Sequence, residues 1–254
     1  DLIHSLKRKY GNTIEEILKY KEEKSEEINQ IENLDEYILS LKKQKQKLEK
    51  QMLELANKMH LIREKYGEKL SAEINSELQD LEMKNAKFSV HFENNEETDF
   101  NKDGLDKIEF MIQTNVGEEA KPLTKIASGG EMSRIMLAIK NVLADVDKIP
   151  VLIFDEIDTG ISGIAANSTG EKMKSISKNH QVICVTHQAS IAAKGDYNYY
   201  ISKQVVNEKT STKIKLLSEN EVINEIARIS SGSISEASIN HAKELRNRKL
   251  KLVI

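Results

Sequence analysis

The sequence predicts an α/β lobe, built on a parallel strand–helix–strand unit and preceded by a long coiled-coil arm. Three observations predict it. Between Ile31 and Tyr66 apolar residues recur at alternating steps of three and four. After Asn85 the pattern changes to short apolar runs that read as strands. Two of these, Val151–Phe154 and Val182–Thr186, flank a helical stretch, which is the order of a parallel crossover. Residues 1–85 are therefore read as the arm and residues 86–254 as the lobe.

The arm opens with a short basic piece, Lys7-Arg8-Lys9, followed by Gly11-Asn12-Thr13. Thr13 is placed to cap a new helix, with Glu16 three residues on completing a capping box. Ile14, Ile17 and Leu18 begin that helix with a poor seam. The strict seam follows: Ile31, Leu34, Ile38, Leu41, Lys45, Leu48, Met52, Leu55, Met59, Ile62 and Tyr66, ten of eleven apolar. A stripe this narrow is buried by supercoiling against another helix. At ~1.5 Å per residue the run makes a rod of roughly 54 Å. The plainer alternative is an amphipathic helix lying on its own domain; the strictness of the repeat favours the coiled coil. Only one such helix is present, so its partner is another chain or another part of a longer one. The charges of Lys42–Lys50 are its solvated face.

In the lobe, Lys87–Phe92 and Leu105–Asn115 alternate as half-buried strands, with Glu93–Gly104 as their hairpin loop. Glu131–Ala144 places Ile135, Met136, Ile139, Val142 and Leu143 on one helix face. Val151–Phe154 reads as a strand buried on both faces, Ala165–Lys178 as a helix and Val182–Thr186 as a second buried strand. Tyr197–Val205 and Thr212–Leu217 form a closing hairpin, and helices Glu219–Ile229 and Ser235–Lys251 finish the chain.

Composition excludes several classes. With 31% charged and 39% apolar residues, 5% aromatics and no Trp, the chain is too charged for one uniform globule. A net charge of −3 excludes a generally basic nucleic-acid glove and leaves a local DNA patch open. The candidates are Lys7-Arg8-Lys9 and the basic end formed by Lys243, Arg246, Arg248, Lys249 and Lys251. The single cysteine, Cys184, can make no internal disulfide and fits a reduced cytosolic protein. No apolar run approaches the roughly 18 residues that span a bilayer. The start carries neither a secretion signal nor an initiator Met, as expected of a piece of a longer chain. No Cys/His cluster suggests zinc, and His4, His60, His91, His180 and His241 fall in no partner pattern.

Three short segments carry chemistry. Asp155 follows four apolar residues, at the carboxyl end of a strand, where parallel sheets bind ligands. A carboxylate there can hold Mg²⁺ beside a phosphate. The adjacent Glu156 is placed to polarise an attacking water as general base. The plainer reading makes both acids ordinary loop residues. Ser128-Gly129-Gly130-Glu131 opens a helix, and its free amides and dipole favour a phosphate. The plainer reading makes Ser128 an N-cap and nothing more. His187 ends the neighbouring strand, where it can bond a γ-phosphate and sense its loss, although a lone strand-end histidine is usually structural.

The joint pattern is more specific than its parts: the Ser128–Glu131 helix start, Asp155 25 residues after Gly130, and His187 31 residues after Glu156. This order resembles the C-terminal half of an ABC-type ATPase head of the SMC/Rad50/RecN group. The words LKRKYGNTIEEILKY (6–20), KIASGGEMSRIMLAIK (125–140), IFDEIDTGISGIAA (153–166) and ICVTHQASIAAKGD (183–196) resemble the RecN family of bacterial double-strand-break repair ATPases, over nearly the whole chain. The resemblance implies that Ser128, Gly129, Gly130 and Glu131 form the signature motif for ATP, that Asp155 and Glu156 are the Walker B metal ligand and catalytic base, and that His187 is the switch histidine. It implies ATP and Mg²⁺ as cofactors and double-stranded or broken DNA as partner. The chain's own N-terminal head lobe would supply Walker A and the antiparallel half of the coiled coil. The resemblance further implies a homodimer through heads or arm, in the bacterial cytoplasm at the nucleoid. No G-x-x-x-x-G-K-[ST] occurs in this sequence. Ala127 stands where many ABC proteins have Leu, and Ser162 where transporter heads have Asp, which with the heptad arm argues against a transporter. The other class is a coiled-coil scaffold whose lobe binds a partner without turnover.

Overall fold

The computed structural model describes residues 2–94, 102–206 and 209–247. These divide into two compact units, one of the residues up to Ile62 together with 102–105, and one of Arg63–Asn94 together with the residues from Asp106 on. The middle of the expected Glu93–Gly104 loop lies outside the described residues, as do Arg248, Lys249 and Lys251.

Up to Ile62 the first unit is almost entirely helical. Helix α1 covers Leu2–Tyr10, and α2 starts at Ile14. Half of the expected capping box forms: the Glu16 amide donates to Thr13 Oγ1 at 3.2 Å. The Glu16 carboxylate accepts from the Asn12 amide at 2.5 Å, one residue before the position a capping box uses. Within this unit the seam residues Ile31, Leu34, Ile38, Leu41, Leu48, Met52, Leu55, Met59 and Ile62 are all exposed. A stripe so apolar and uncovered supports the coiled-coil reading.

Helix α2 ends only at Asp80, so it continues through Gly67 into the second unit. Gly67 is where this helix meets strand β1 (Lys87–Asn94): a Cβ there would lie 3.1 Å from the Phe92 ring and 3.4 Å from Val90. Past Asp80, Glu82 takes a left-handed φ of 59° and the Met83 amide reaches back to the Leu78 carbonyl at 2.9 Å. That turn matches a Schellman end. Asn75 then grips β1, donating to Phe88 O at 2.9 Å and accepting from Phe88 N at 2.7 Å. Arg63 and Asp106 add an ion pair at 2.8 Å.

Strand β1 pairs antiparallel with β2 (Asp106–Gln113), and β2 with the short β3 (Lys121–Pro122). Helix α3 (Gly129–Val142) leads to β4 (Val151–Phe154), α4 (Gly163–Ile176) and β5 (Gln181–Cys184). Strands β4 and β5 are parallel, which is the expected crossover. A main core joins Ile74 and Leu78 from the end of α2, and Leu81 just past it, to Phe88, Ile112, Ile135, Leu137, Leu152, Phe154 and Met173. Lys172 of α4 clamps the same end of α2, pairing with Glu77 and Asp80 at 2.7 Å each.

After the short α5 (Ala189–Ala192), strands β6 (Tyr199–Val206) and β7 (Lys209–Leu216) form the closing hairpin. Helices α6 (Glu219–Ser231) and α7 (Glu236–Asn247) pack a second core of Ala193, Val222, Ile226, Ala227 and Ala242.

Two expectations need correction. Strands β4 and β5 are not buried on both faces: Leu152 and Phe154 are buried, but Ile153 is 69%, Val151 38%, Ile183 45% and Val185 51% exposed. Burial thus alternates along β4, with one face in the core and the other open. Parallel sheets are normally covered on both faces. Arg246, expected in a basic DNA patch, is instead a staple, 10% exposed. It donates to the Gly195 carbonyl at 2.7 Å, to the Ala193 carbonyl at 3.2 Å and to Glu219 at 2.9 Å. Lys243 is exposed.

Candidate nucleotide site

Helix α3 starts where the Ser-Gly-Gly turn predicts. Ser128 is its N-cap in extended conformation, and its Oγ accepts from the Glu131 amide at 3.3 Å. Apart from the amide that Ser128 caps, the first-turn amides lack intrahelical partners.

The two glycines mark a close approach to the chain's own loop after β4. A Cβ on Gly129 would sit 2.5 Å from Glu156 Oε2. One on Gly130 would sit 3.0 Å from the Thr159 carbonyl oxygen and 3.1 Å from that of Glu156. Two side chains one turn further along α3 secure the contact. Ser133 Oγ donates to Asp155 O at 2.8 Å, and Arg134 Nη1 donates to Ile157 O and Thr159 O at 3.2 and 3.0 Å. Burial pushes the Arg134 pKa below its usual value, with the nearby Glu131 charge opposing.

Asp155 follows the last residue of β4 and is exposed; its Oδ1 accepts from the Glu156 amide at 3.0 Å. Glu156 is exposed and holds a left-handed φ of 56°. For a residue other than glycine that backbone costs on the order of 1 kcal/mol, and such strain gathers at functional sites. β5 ends at Cys184, earlier than expected, so His187 lies in the segment that follows it; it keeps 71% of its side chain exposed, and its Nδ1 lies 3.2 Å from the buried carboxylate of Asp158.

The fold therefore brings the three segments to one edge. Gly129 touches Glu156, and Asp158, two residues on, touches His187. Asp155 and Glu156 are two adjacent acids with no third ligand: among the described residues no group of three His, Cys, Asp or Glu could hold a metal by itself. Sequence reasoning assigned nothing to Ser133, Arg134, Asp158 or Thr186. Asp158 stood inside the FDEID word, and its burial was the missing signal.

Cys184 sits just below this edge in β5. Burial, then the charges of Asp158 and Asp155, push its thiol up to about 12. The thiolate is the reactive form. At pH 8 the native thiol is therefore expected to resist iodoacetamide and to react at an ordinary rate only after unfolding in denaturant. Modification at equal rates in both states would contradict this burial. Among the described residues no helix is long and apolar enough to cross a membrane.

No family model matches the chain. Curated proteins do. The protein named DNA repair protein RecN from Bacillus subtilis strain 168 is 39% identical over 257 residues, covering 96% of this chain and 45% of its own length. The same-named protein of Halalkalibacterium halodurans is 38% identical, covering 96% and 44%. That of Deinococcus radiodurans is 35% identical, covering 96% and 42%. Among solved structures, an Smc head domain with coiled coil and joint from Pyrococcus yayanosii superposes with a TM-score of 0.48. It is 17% identical and covers 85% of this chain and 37% of that one. The chain spans a little under half the length of the curated relatives it matches. At 35–39% identity over 96% of its length, this chain is a homologue of these RecN proteins.

Proposed function

We propose that the chain is the returning arm and C-terminal lobe of an SMC-like ATPase head acting in DNA repair. Residues 1–85 serve as the arm and residues 86–254 as the lobe, with the arm rooted in the lobe from Arg63. The observation that carries this reading is the convergence of the Ser128 helix start, Asp155, Glu156 and His187 on one edge of the β4–β5 unit.

The residues fit a nucleotide with Mg²⁺. One exposed carboxylate at a strand end suits a cation that keeps several waters and takes phosphate oxygens as its other ligands. A preformed metal cluster is not needed, and Asp155 supplies that carboxylate. Mg²⁺ neutralises charge on the phosphate oxygens when bound. Glu156 accepts the proton of a water that it orients. Ser128, Gly129 and Gly130, with Glu131 closing the first turn, present a helix N-terminus to the γ-phosphate held by a second head. His187 offers its ring to the γ-phosphate of the nucleotide that Asp155 and Glu156 serve. Losing the γ-phosphate removes what this helix end binds, and the two heads separate. The arm passes that motion to double-stranded or broken DNA, at the nucleoid of the bacterial cytoplasm.

The open face of β4–β5 supports an N-terminal lobe of the same polypeptide as the missing cover. That lobe supplies Walker A and the second strand of the coiled coil, since the relatives are about twice as long as the match. The full-length protein is expected to hydrolyse ATP faster with DNA added, and this chain alone to hydrolyse almost none. Full activity of this chain alone would sink the split-site reading. A full-length protein without turnover would leave a coiled-coil scaffold.

A further inference from the structure

Asp158 is the acid of the FDEID word that the proposed chemistry leaves unused. It is only 2% exposed, and a carboxylate that far from water is costly unless hydrogen bonds replace the solvent. All three contacts of its Oδ2 come from the segment that follows β5. Thr186 Oγ1 donates at 2.6 Å, the His187 amide donates at 2.7 Å, and His187 Nδ1 lies at 3.2 Å. The Thr186 hydroxyl also accepts from the Gln188 amide at 3.0 Å, and Gln188 Nε2 donates to Ile161 O at 3.0 Å. The turn after β5 is thus tied to the loop after β4 on both sides of Asp158.

The hydroxyl and the amide hold the carboxylate where it is, so the group left to be oriented is the imidazole. The ring is largely exposed, with little packing to fix it. A buried carboxylate on one ring nitrogen selects the tautomer protonated there and turns the other nitrogen away. We propose that Asp158 is a positioning residue for His187: it holds Nδ1 as a donor and presents Nε2 at the edge that carries Asp155 and Glu156. The assignment rests on the nucleotide-site reading, with His187 as the side chain that meets the transferred phosphate. Asp158 acts only through that ring.

The test uses the full-length protein with Asp158→Asn, His187→Gln and the double substitution. Asn keeps the volume and one acceptor, so the fold survives; equal thermal midpoints check this. Each single substitution is expected to lower kcat by at least about tenfold with KM for ATP changed by less than about threefold. The double substitution is expected to be no worse than His187→Gln alone, because the two residues act as one unit. Losses that multiply would overturn the proposal. Ring-¹⁵N histidine spectra give a readout independent of turnover, with the His187 signal identified by its absence in His187→Gln. Wild type is expected to show a protonated Nδ1, and Asp158→Asn to shift that signal. An unprotonated Nδ1 in wild type, or a signal indifferent to Asp158→Asn, would overturn the pairing. Undiminished turnover in His187→Gln alongside the expected spectra would refute the role of His187 in turnover and leave the pairing standing.

Discussion

Glu156→Gln in the full-length protein is expected to lower ATP turnover about 10²- to 10⁴-fold, the range a general base contributes, with little change in stability. Gln is nearly isosteric and keeps the fit against Gly129, where Glu156 Oε2 already stands 2.5 Å from a notional Cβ. It takes the same left-handed backbone at φ 56° at similar cost. What it loses is the negative charge that accepts a proton. A larger truncation would release that backbone strain as well and mix two effects. Phosphate release with and without DNA, beside a thermal melt, separates chemistry from folding. Turnover at the wild-type rate would end the assignment of Glu156 as base.

The second large effect is expected at Ile153. In this chain the side chain is 69% exposed, on the open face of β4. If an N-terminal lobe covers that face, Ile153→Glu buries an unpaired carboxylate in the full-length protein. The cost is on the order of 3 kcal/mol or more, and turnover is expected to be lost with it. Val146→Glu is the control, since Val146 is comparably exposed but lies in the turn between α3 and β4. It should behave as wild type. Equal melting temperatures for the two variants would mean that the open face stays open, and the split-head reading would lose its structural support.

Much of the fold was legible because it is local. The step of three and four between Ile31 and Ile62 needs only the helical period, and every one of those seam side chains but Lys45 is apolar and exposed in its own unit. The Ser128 cap, the Thr13 cap and the apolar strand that stops just before Asp155 are likewise set by a few adjacent residues. The continuation of α2 past Gly67 was not legible. Glycine disfavours a helix by ~1 kcal/mol, yet here the missing side chain admits the Phe92 ring from a strand 25 residues on. Nor was the open sheet face, because a continuous apolar run reads alike whether its second cover lies in the same chain or elsewhere.

The sequence by itself determined which residues could do chemistry, their order, and the long helix with an unpartnered seam, since each follows from side-chain type and spacing along one local segment. Only the tertiary structure decided what those residues touch. The parallel pairing of β4 with β5 brings Asp158 to His187 across 29 positions of chain. The packing of α3 sets Arg134 on the carbonyls of Ile157 and Thr159. Such contacts join residues far apart in the chain, and their geometry is fixed by the shared core beneath them rather than by any local preference.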